Sequence, residues 1–111
     1  MARTDTLGEF EQTVLLAIAH LQPDSYGVPI RQLIEARTGR PIAVGALYTA
    51  LERLERKGCV SSSMSAPVPE RGGRSRRHYQ LRPRGAEALR RSRATMERMW
   101  AGLDPALRPR R

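Results

Sequence analysis

Apolar residues recur every three or four positions in four separate segments of the chain. That spacing places an apolar stripe along one side of each segment, as in an amphipathic helix. The pattern predicts helices over about residues 7–21, 25–38, 43–57 and 83–102. The turn at residues 22–25 offers a helix-capping acceptor for the second helix. Only a short break containing glycine separates the second and third helices, which gives them the outline of a helix-turn-helix.

The segment between the third and fourth helices has a different pattern. Residues 59–65 lack helix signals, residues 66–75 are rich in proline, glycine and charge, and residues 76–82 alternate around Tyr79. This order predicts a strand, a loop and a strand, which together form a β-hairpin with a long tip. We therefore expect a mainly α fold with a small β-hairpin: a winged helix-turn-helix followed by a C-terminal helix.

Charge is distributed unevenly along the 111 residues, which contain 20 Lys+Arg and 11 Asp+Glu for a formal net charge of +9. Residues 1–52 carry four arginines against six acidic residues, whereas residues 53–111 carry sixteen basic against five acidic residues. All but one of the basic residues are arginine, whose planar group binds phosphates and base edges bidentately. A GC-rich genome accounts for part of the preference for arginine, but not for the clustering.

The densest positive charge falls on the predicted hairpin. Residues 71–84 contain six arginines and no acidic residue, and Gly72 and Gly73 interrupt them. A solvated basic loop is one interpretation. The position of the hairpin directly after a helix-turn-helix favours nucleic acid, because a wing lies against the DNA backbone or minor groove while the third helix enters the major groove. The hairpin residues that we predict to contact DNA are Arg74, Arg76, Arg77 and Tyr79.

Several motifs resemble the PadR family of transcriptional regulators. The matching segments are Tyr26-Gly27 at the start of helix 2, residues 45–54 (GALYTALERL) in helix 3, Lys57-Gly58 after it, and residues 76–81 (RRHYQL) leading into Pro83-Arg84-Gly85. The match extends from about residue 10 to about residue 90, and helix 3 is its most distinctive part. The resemblance implies a winged-helix homodimer that binds double-stranded DNA, usually as a repressor. In some members a small apolar or phenolic ligand relieves the repression.

The start of helix 3 departs from the usual pattern of that family. A Ser-Pro pair commonly opens the helix and a proline follows its tyrosine, whereas here Ala43-Val44 opens it and Thr49 follows the tyrosine. Ala43 has no side-chain acceptor for an amide at the helix start. Ala43, Val44 and Ala46 can contact thymine methyl groups but cannot hydrogen-bond a base edge.

The polar candidates on helix 3 come later in the helix. Thr49 and Arg53 are the predicted base readers, and Tyr48 is a predicted phosphate donor. A solvated Arg53 paired with nearby acidic residues is an equally good interpretation. Tyr48 could also belong to the core with only its hydroxyl at the rim.

Apolar residues on the last helix predict a dimer. The residues on that side are Leu89, Met96, Met99, Trp100 and Leu103. On a projecting helix they would lie in water unless a second copy covers them, with helix 1 as the second contributor. We therefore divide the chain into a winged helix-turn-helix DNA-binding domain at residues 1–82, a dimerisation helix at residues 83–104 and a basic disordered tail at residues 105–111.

Trp100 also allows a second interpretation. The resemblance extends to relatives that place a tryptophan on the last helix, where it lines a cavity for small aromatic molecules at the dimer centre. Ordinary interface packing explains the same residues and is the favoured interpretation, because methionine fills irregular gaps and tryptophan is a frequent anchor.

Catalysis is not expected from this sequence. His20 and His78 have no carboxylate at catalytic spacing, and Cys59 has neither a paired base nor a second cysteine. We predict no cofactor and no metal. No apolar run approaches the ~18 residues of a membrane span, and the N-terminus lacks the plan of a secretion signal, so we expect no membrane partner and a cytoplasmic location.

Two classes of function remain open. The first is a transcriptional repressor that binds a pseudo-palindromic operator as a homodimer and responds to a small aromatic effector. The second is a winged-helix adaptor for protein interaction or nonspecific nucleic-acid binding, which the apolar start of helix 3 favours.

Overall fold

The computed structural model describes residues 6–65, 76–103 and Leu107. The helices and strands of the described residues are α1 (Glu9–Leu21), α2 (Gly27–Thr38), α3 (Val44–Arg56), β1 (Val60–Met64), β2 (Arg77–Leu81) and α4 (Pro83–Trp100). The strands pair antiparallel, with Val60 opposite Leu81 and Met64 opposite Arg77. The predicted mainly α fold with a small hairpin is therefore confirmed. Each element begins and ends within about two residues of the predicted positions, which is the usual uncertainty of helix ends.

Local chemistry explains two of the helix boundaries. Gly39 ends α2 in the left-handed conformation, with φ of 72°, and its amide donates to the carbonyl of Glu35. A residue with a side chain is strained in that conformation. Pro83 occupies the first turn of α4, where its missing amide hydrogen leaves no intrahelical bond unmade.

The turn before α2 has a role that differs from the predicted one. The N-cap of α2 is Tyr26, and no side chain caps this helix. Ser25 is instead fully buried, and its hydroxyl donates to the carbonyl of Tyr79 in β2. The amide of Tyr79 donates back to the carbonyl of Ser25 at 2.9 Å. The capping prediction is wrong because the hydroxyl satisfies a buried strand carbonyl rather than a helix amide.

Residues 22–25 also hydrogen-bond to the edge of β2 that does not pair with β1. The amide of Leu81 donates to the Gln22 side-chain carbonyl at 2.6 Å, and the His78 ring Nδ1 lies 3.1 Å from the carbonyl of Pro23. One edge of β2 thus pairs with β1 and the other with residues 22–25. The base of the hairpin is consequently fixed to the α1–α2 connection, which sets where the hairpin projects.

The core lies where α1, α2 and α3 meet the base of the hairpin. Its fully buried large side chains include Leu15 and Ile18 of α1, Ile30 of α2, and Leu51 and Leu54 of α3. Truncating one such side chain to alanine typically costs about 2–5 kcal/mol. None of the helices in the described part of the chain is long and apolar enough to cross a membrane.

Candidate nucleic-acid interface

The outer side of α3 is the first part of the candidate surface. Leu47, Ala50, Leu51 and Leu54 point into the core, and the residues on the other side of the helix face outward. The predicted contact residues of this helix are all exposed: Ala43, Val44, Ala46, Tyr48, Thr49 and Arg53. Val44 is 49% exposed and Tyr48 is 45% exposed, although both are large apolar or aromatic residues. The first turn of α3 therefore offers methyl groups, and Thr49 offers a hydroxyl.

Tyr48 is exposed on one side and packed on the other. Its hydroxyl occupies the space that a side chain would need on Gly27, the first residue of α2. A cleft of about 250 Å³ between α2 and α3 continues from this contact, and Val28 and Arg31 are among its lining residues. The sequence left open whether Tyr48 is a core or a surface residue, and the structure places it at the seam between α2 and α3.

The hairpin contributes arginines beside α3. Arg76 and Arg77 are exposed at the start of β2. The Arg77 guanidinium donates to the Ser62 hydroxyl at 2.9 Å, and that hydroxyl donates to the Glu55 carboxylate at 2.8 Å. This chain of hydrogen bonds connects the hairpin to the C-terminal half of α3. Arg74, also predicted as a contact, lies outside the described residues.

Tyr79 does not belong to this surface. Its side chain is only 4% exposed and lies in the core cluster, so the prediction that it contacts DNA is wrong. Burial raises the pKa of its hydroxyl above the ordinary value, which keeps the group protonated. The residue was misassigned because it stands among exposed arginines, whereas the base of the hairpin turns its ring inward.

Arg53 lies at a different part of α3 from Tyr48. It borders a cleft of about 600 Å³ whose other lining residues include Arg56, Lys57, Arg84 and Glu11. The Lys57 ammonium donates to the Glu11 carboxylate at 2.8 Å. No local pattern in the sequence joins Arg84 to Arg56 and Lys57, and their shared positive charge is the only signal that could have grouped them. In the structure these four basic residues and one carboxylate line the same cleft.

Opposing influences act on the Glu11 carboxyl. Burial alone raises its pKa, but hydrogen bonds from Lys57 and from the Gly8 amide, together with the charges of Lys57 and Arg53, lower the pKa overall. Glu11 is therefore a carboxylate that joins the start of α1 to the end of α3.

The residues predicted for a dimer interface or ligand site lie along α4 (Pro83–Trp100) and just after its end. Met96 is 52% exposed, Met99 68%, Trp100 45% and Leu103 51%. Leu89 differs from the others because it is partly buried against the core of its own domain. An open groove of about 710 Å³ runs between α1 and α4. The apolar side chains along it are Leu16, Leu89, Met96 and Trp100.

Within the described ranges, no three or more histidine, cysteine, aspartate or glutamate side chains converge on a position where they could hold a metal ion. The arrangement instead combines an exposed helix, a basic hairpin anchored beside it and an apolar helix face. A helix-turn-helix followed by an antiparallel hairpin and a further helix defines the class of winged helix-turn-helix proteins.

Comparison with known proteins gives the family. The model of the transcriptional regulator PadR-like family matches residues 15–91, and the chain belongs to that family. The resemblance noted in the sequence is thereby confirmed. No curated protein matches the chain at a significant level.

Solved structures agree with this assignment. A PadR family transcriptional regulator from Eggerthella lenta DSM 2243 is 25% identical, with a TM-score of 0.66 over 92% of this chain and 88% of that one. The complex structure of hsRosR-S4 is also 25% identical, with a TM-score of 0.69 over 92% of this chain and 83% of that one. A PadR-like regulator from Bacillus cereus strain ATCC 14579 shares the fold at 17% identity, with a TM-score of 0.70 over 91% and 93%.

Proposed function

We propose that this protein represses transcription by binding a pseudo-palindromic DNA operator as a homodimer. One observation carries the proposal: the first turns of α3 and the hairpin arginines are both exposed on a domain of a transcriptional-regulator family. In this arrangement α3 enters the major groove, and Arg76 and Arg77, with Arg74 before them, contact the backbone or the minor groove. The division of the chain at residues 82 and 104 follows from the same proposal.

The two parts of the surface contribute differently to binding. Val44 and Ala46, with Ala43 before them, can distinguish thymine by its methyl group, and Thr49 can hydrogen-bond a base edge. The arginines and the Tyr48 hydroxyl bind phosphates, which gives affinity and register without sequence information. Binding should therefore depend strongly on salt while its sequence preference rests on few contacts.

The exposed face of α4 supports the homodimer. Met96, Trp100 and Leu103 are each about half exposed, and Leu16 of α1 is 50% exposed beside the same groove. Covering these side chains with a second copy removes apolar surface from water. Two copies of α3 that read successive major grooves on one side of the duplex must then lie about 34 Å apart.

The groove between α1 and α4 is also the proposed site for a small aromatic effector. A planar molecule seated against Trp100 and Met96 would favour one spacing of the two subunits. Because coupling is reciprocal, the molecule and the operator then change each other's affinity by the same factor. The corresponding coupling free energy is typically about 1–3 kcal/mol. Quenching of Trp100 fluorescence by planar aromatic compounds tests this, because the chain contains a single tryptophan.

The decisive experiment is the selection of bound duplexes from a random pool, using the full chain. Enrichment of an inverted repeat with half-sites one helical turn apart is the expected result. Enrichment of an unrepeated site would contradict the homodimer on DNA, and retention of the pool without enrichment would contradict a specific regulator.

A second candidate function is a nonspecific nucleic-acid or protein-binding adaptor. The first turn of α3 favours it, because three of its exposed side chains are apolar and make no hydrogen bonds to bases. Binding of single-stranded and double-stranded pools with equal affinity would support the adaptor. An equal affinity for mutated and selected duplexes would do so as well.

A further inference from the structure

Two adjacent residues at the start of α2 contact both parts of the proposed DNA-binding surface. We propose that Tyr26 and Gly27 are a positioning pair: Gly27 provides the space that seats Tyr48 of α3, and Tyr26 provides the ring that orients Arg76 of the hairpin. This inference rests on the proposed function, since it explains how the contact residues are held. Neither member of the pair is itself assigned a contact with DNA.

Gly27 leaves the space that the Tyr48 ring and hydroxyl occupy. Gly27 is buried, and a β-carbon added there would lie 2.2 Å from the Tyr48 hydroxyl oxygen and 3.0 Å from the ring carbon that carries it. Non-bonded atoms do not approach so closely, so any side chain would push Tyr48 away. Gly27 is the first residue of a regular helix and has no positive φ, unlike Gly39 and Gly58. Its role is therefore to allow the close approach of Tyr48 and not to allow an unusual backbone.

The contact with Gly27 fixes the position of the Tyr48 hydroxyl. The hydroxyl is held against the first turn of α2 while the side chain as a whole stays 45% exposed. An exposed tyrosine would otherwise be free to adopt other rotamers, and ordering it on binding would cost conformational entropy. Contact with Gly27 limits those rotamers before DNA arrives.

The ring of Tyr26 contacts two residues of the hairpin, Arg76 and His78. The guanidinium carbon of Arg76 lies 4.6 Å from the centre of the Tyr26 ring, which is within the range of a cation–π interaction. The other neighbour is the ring of His78, at a centroid distance of 5.2 Å and an angle of 54°. The backbone of Arg76 is held by Ser65, whose amide donates to the Arg76 carbonyl at 2.8 Å. The ring thus orients a long side chain whose backbone is already fixed.

The pair connects the two parts of the surface through a single dipeptide. Tyr48 and Arg76 come from α3 and from the hairpin, yet they contact two successive residues, the N-cap and the first residue of α2. A shift at the start of α2 would displace both together. The Tyr48 hydroxyl and the Arg76 guanidinium are therefore positioned relative to one another at Tyr26 and Gly27.

The first test is a double-mutant cycle on Gly27 and Tyr48, measured as affinity for the selected duplex. Gly27→Ala should lower affinity about tenfold, the size of one lost hydrogen bond to a charged group. In a Tyr48→Ala background the same Gly27→Ala change should have little further effect, because no ring remains to be displaced. Equal losses in both backgrounds, or an unchanged affinity in Gly27→Ala, would overturn the role of Gly27. Thermal unfolding of each variant shows that the folded protein is being compared.

The second test separates the ring of Tyr26 from its hydroxyl. Tyr26→Phe keeps the cation–π contact and should bind like the wild type. Tyr26→Leu should flatten the plot of log affinity against log salt toward the slope of Arg76→Ala, a change of up to about 0.9 for one phosphate contact. A general loss of stability would not change that slope. The inference about Tyr26 fails if both variants keep the wild-type slope, whereas absence of duplex binding by the wild type would overturn the proposed function itself.

Discussion

The hairpin and the outer half of α4 both leave side chains in water, but the energetic consequences are opposite. Arg76 and Arg77 are exposed cations, which water solvates well, so their exposure costs almost nothing. Met96 and Trp100 are about half exposed and apolar, so each leaves surface that gains free energy when it is covered. Exposure on α4 therefore supports the proposed second copy by itself, whereas exposure on the hairpin does not by itself support the proposed binding of DNA.

On the hairpin, the evidence for function is that contacts within the protein hold the arginine side chains in place. Arg76 lies over the Tyr26 ring, and Arg77 is hydrogen-bonded through Ser62 to Glu55 of α3. Holding an arginine in one orientation costs side-chain entropy, which an unused solvated charge has no need to lose. In a charged region, therefore, ordered side chains indicate function, whereas in an apolar region uncovered surface does.

The largest effect is expected at the apolar region. Trp100→Ala should weaken dimerisation by about 2–4 kcal/mol, because a buried interface tryptophan is a typical anchor. Sedimentation at micromolar concentration measures it. The matched control is Arg98→Ala, which shortens a neighbouring exposed side chain of α4 and should leave assembly unchanged. If the wild type sediments as a stable monomer, the exposed apolar face of α4 needs no second copy, and its contrast with the hairpin is lost.

The next effect concerns the hairpin. The Arg76→Ala/Arg77→Ala variant should bind all duplexes about tenfold more weakly, and each lost phosphate contact should reduce the salt slope by about 0.9. Base preference should not change, since phosphate contacts carry no sequence information. Adding Arg74→Ala should extend the trend. Arg90→Ala on α4 is the control, and an unchanged slope in the hairpin variant would exclude the hairpin from the binding surface.

The same contrast explains what could be predicted from sequence. The helices follow from local periodicity, and the ends at Gly39 and Pro83 follow from glycine and proline chemistry. The bond between Ser25 and Tyr79 joins residues 54 positions apart, and the Lys57–Glu11 pair joins residues 46 positions apart. No local pattern contains such pairings. The sequence accordingly identified the elements and the charge of the hairpin, but it misplaced Tyr79.

A smaller effect should distinguish the two tyrosines near α3. Tyr48→Phe removes a hydroxyl proposed to donate to phosphate and should lower duplex affinity about three- to tenfold, as for a modest hydrogen bond. Tyr79→Phe alters a core residue that is 4% exposed and should leave the affinity and the salt slope unchanged. Fluorescence anisotropy with one labelled duplex compares both variants directly. A larger loss of affinity in Tyr79→Phe than in Tyr48→Phe would reverse the assignment of surface and core.

The smallest effect is a dependence of stability on pH that belongs to the ion pair between α1 and α3. The pKa of Glu11 is lowered from its ordinary value of 4.5, because the hydrogen bonds and charges of Lys57 and its neighbours outweigh burial. A carboxyl with a lowered folded pKa stabilises the protein fully above its unfolded pKa, and this contribution is lost as the pH falls through the folded value. Denaturant unfolding should therefore show a decline in stability below about pH 4.5 that Glu11→Gln diminishes. Glu87→Gln is the control, because its ion pairs with Arg90 and Arg91 lie at the surface, where such pairs contribute little. If Glu11→Gln and Glu87→Gln reduce the acid-dependent loss equally, the Lys57–Glu11 pair adds no more than an exposed pair.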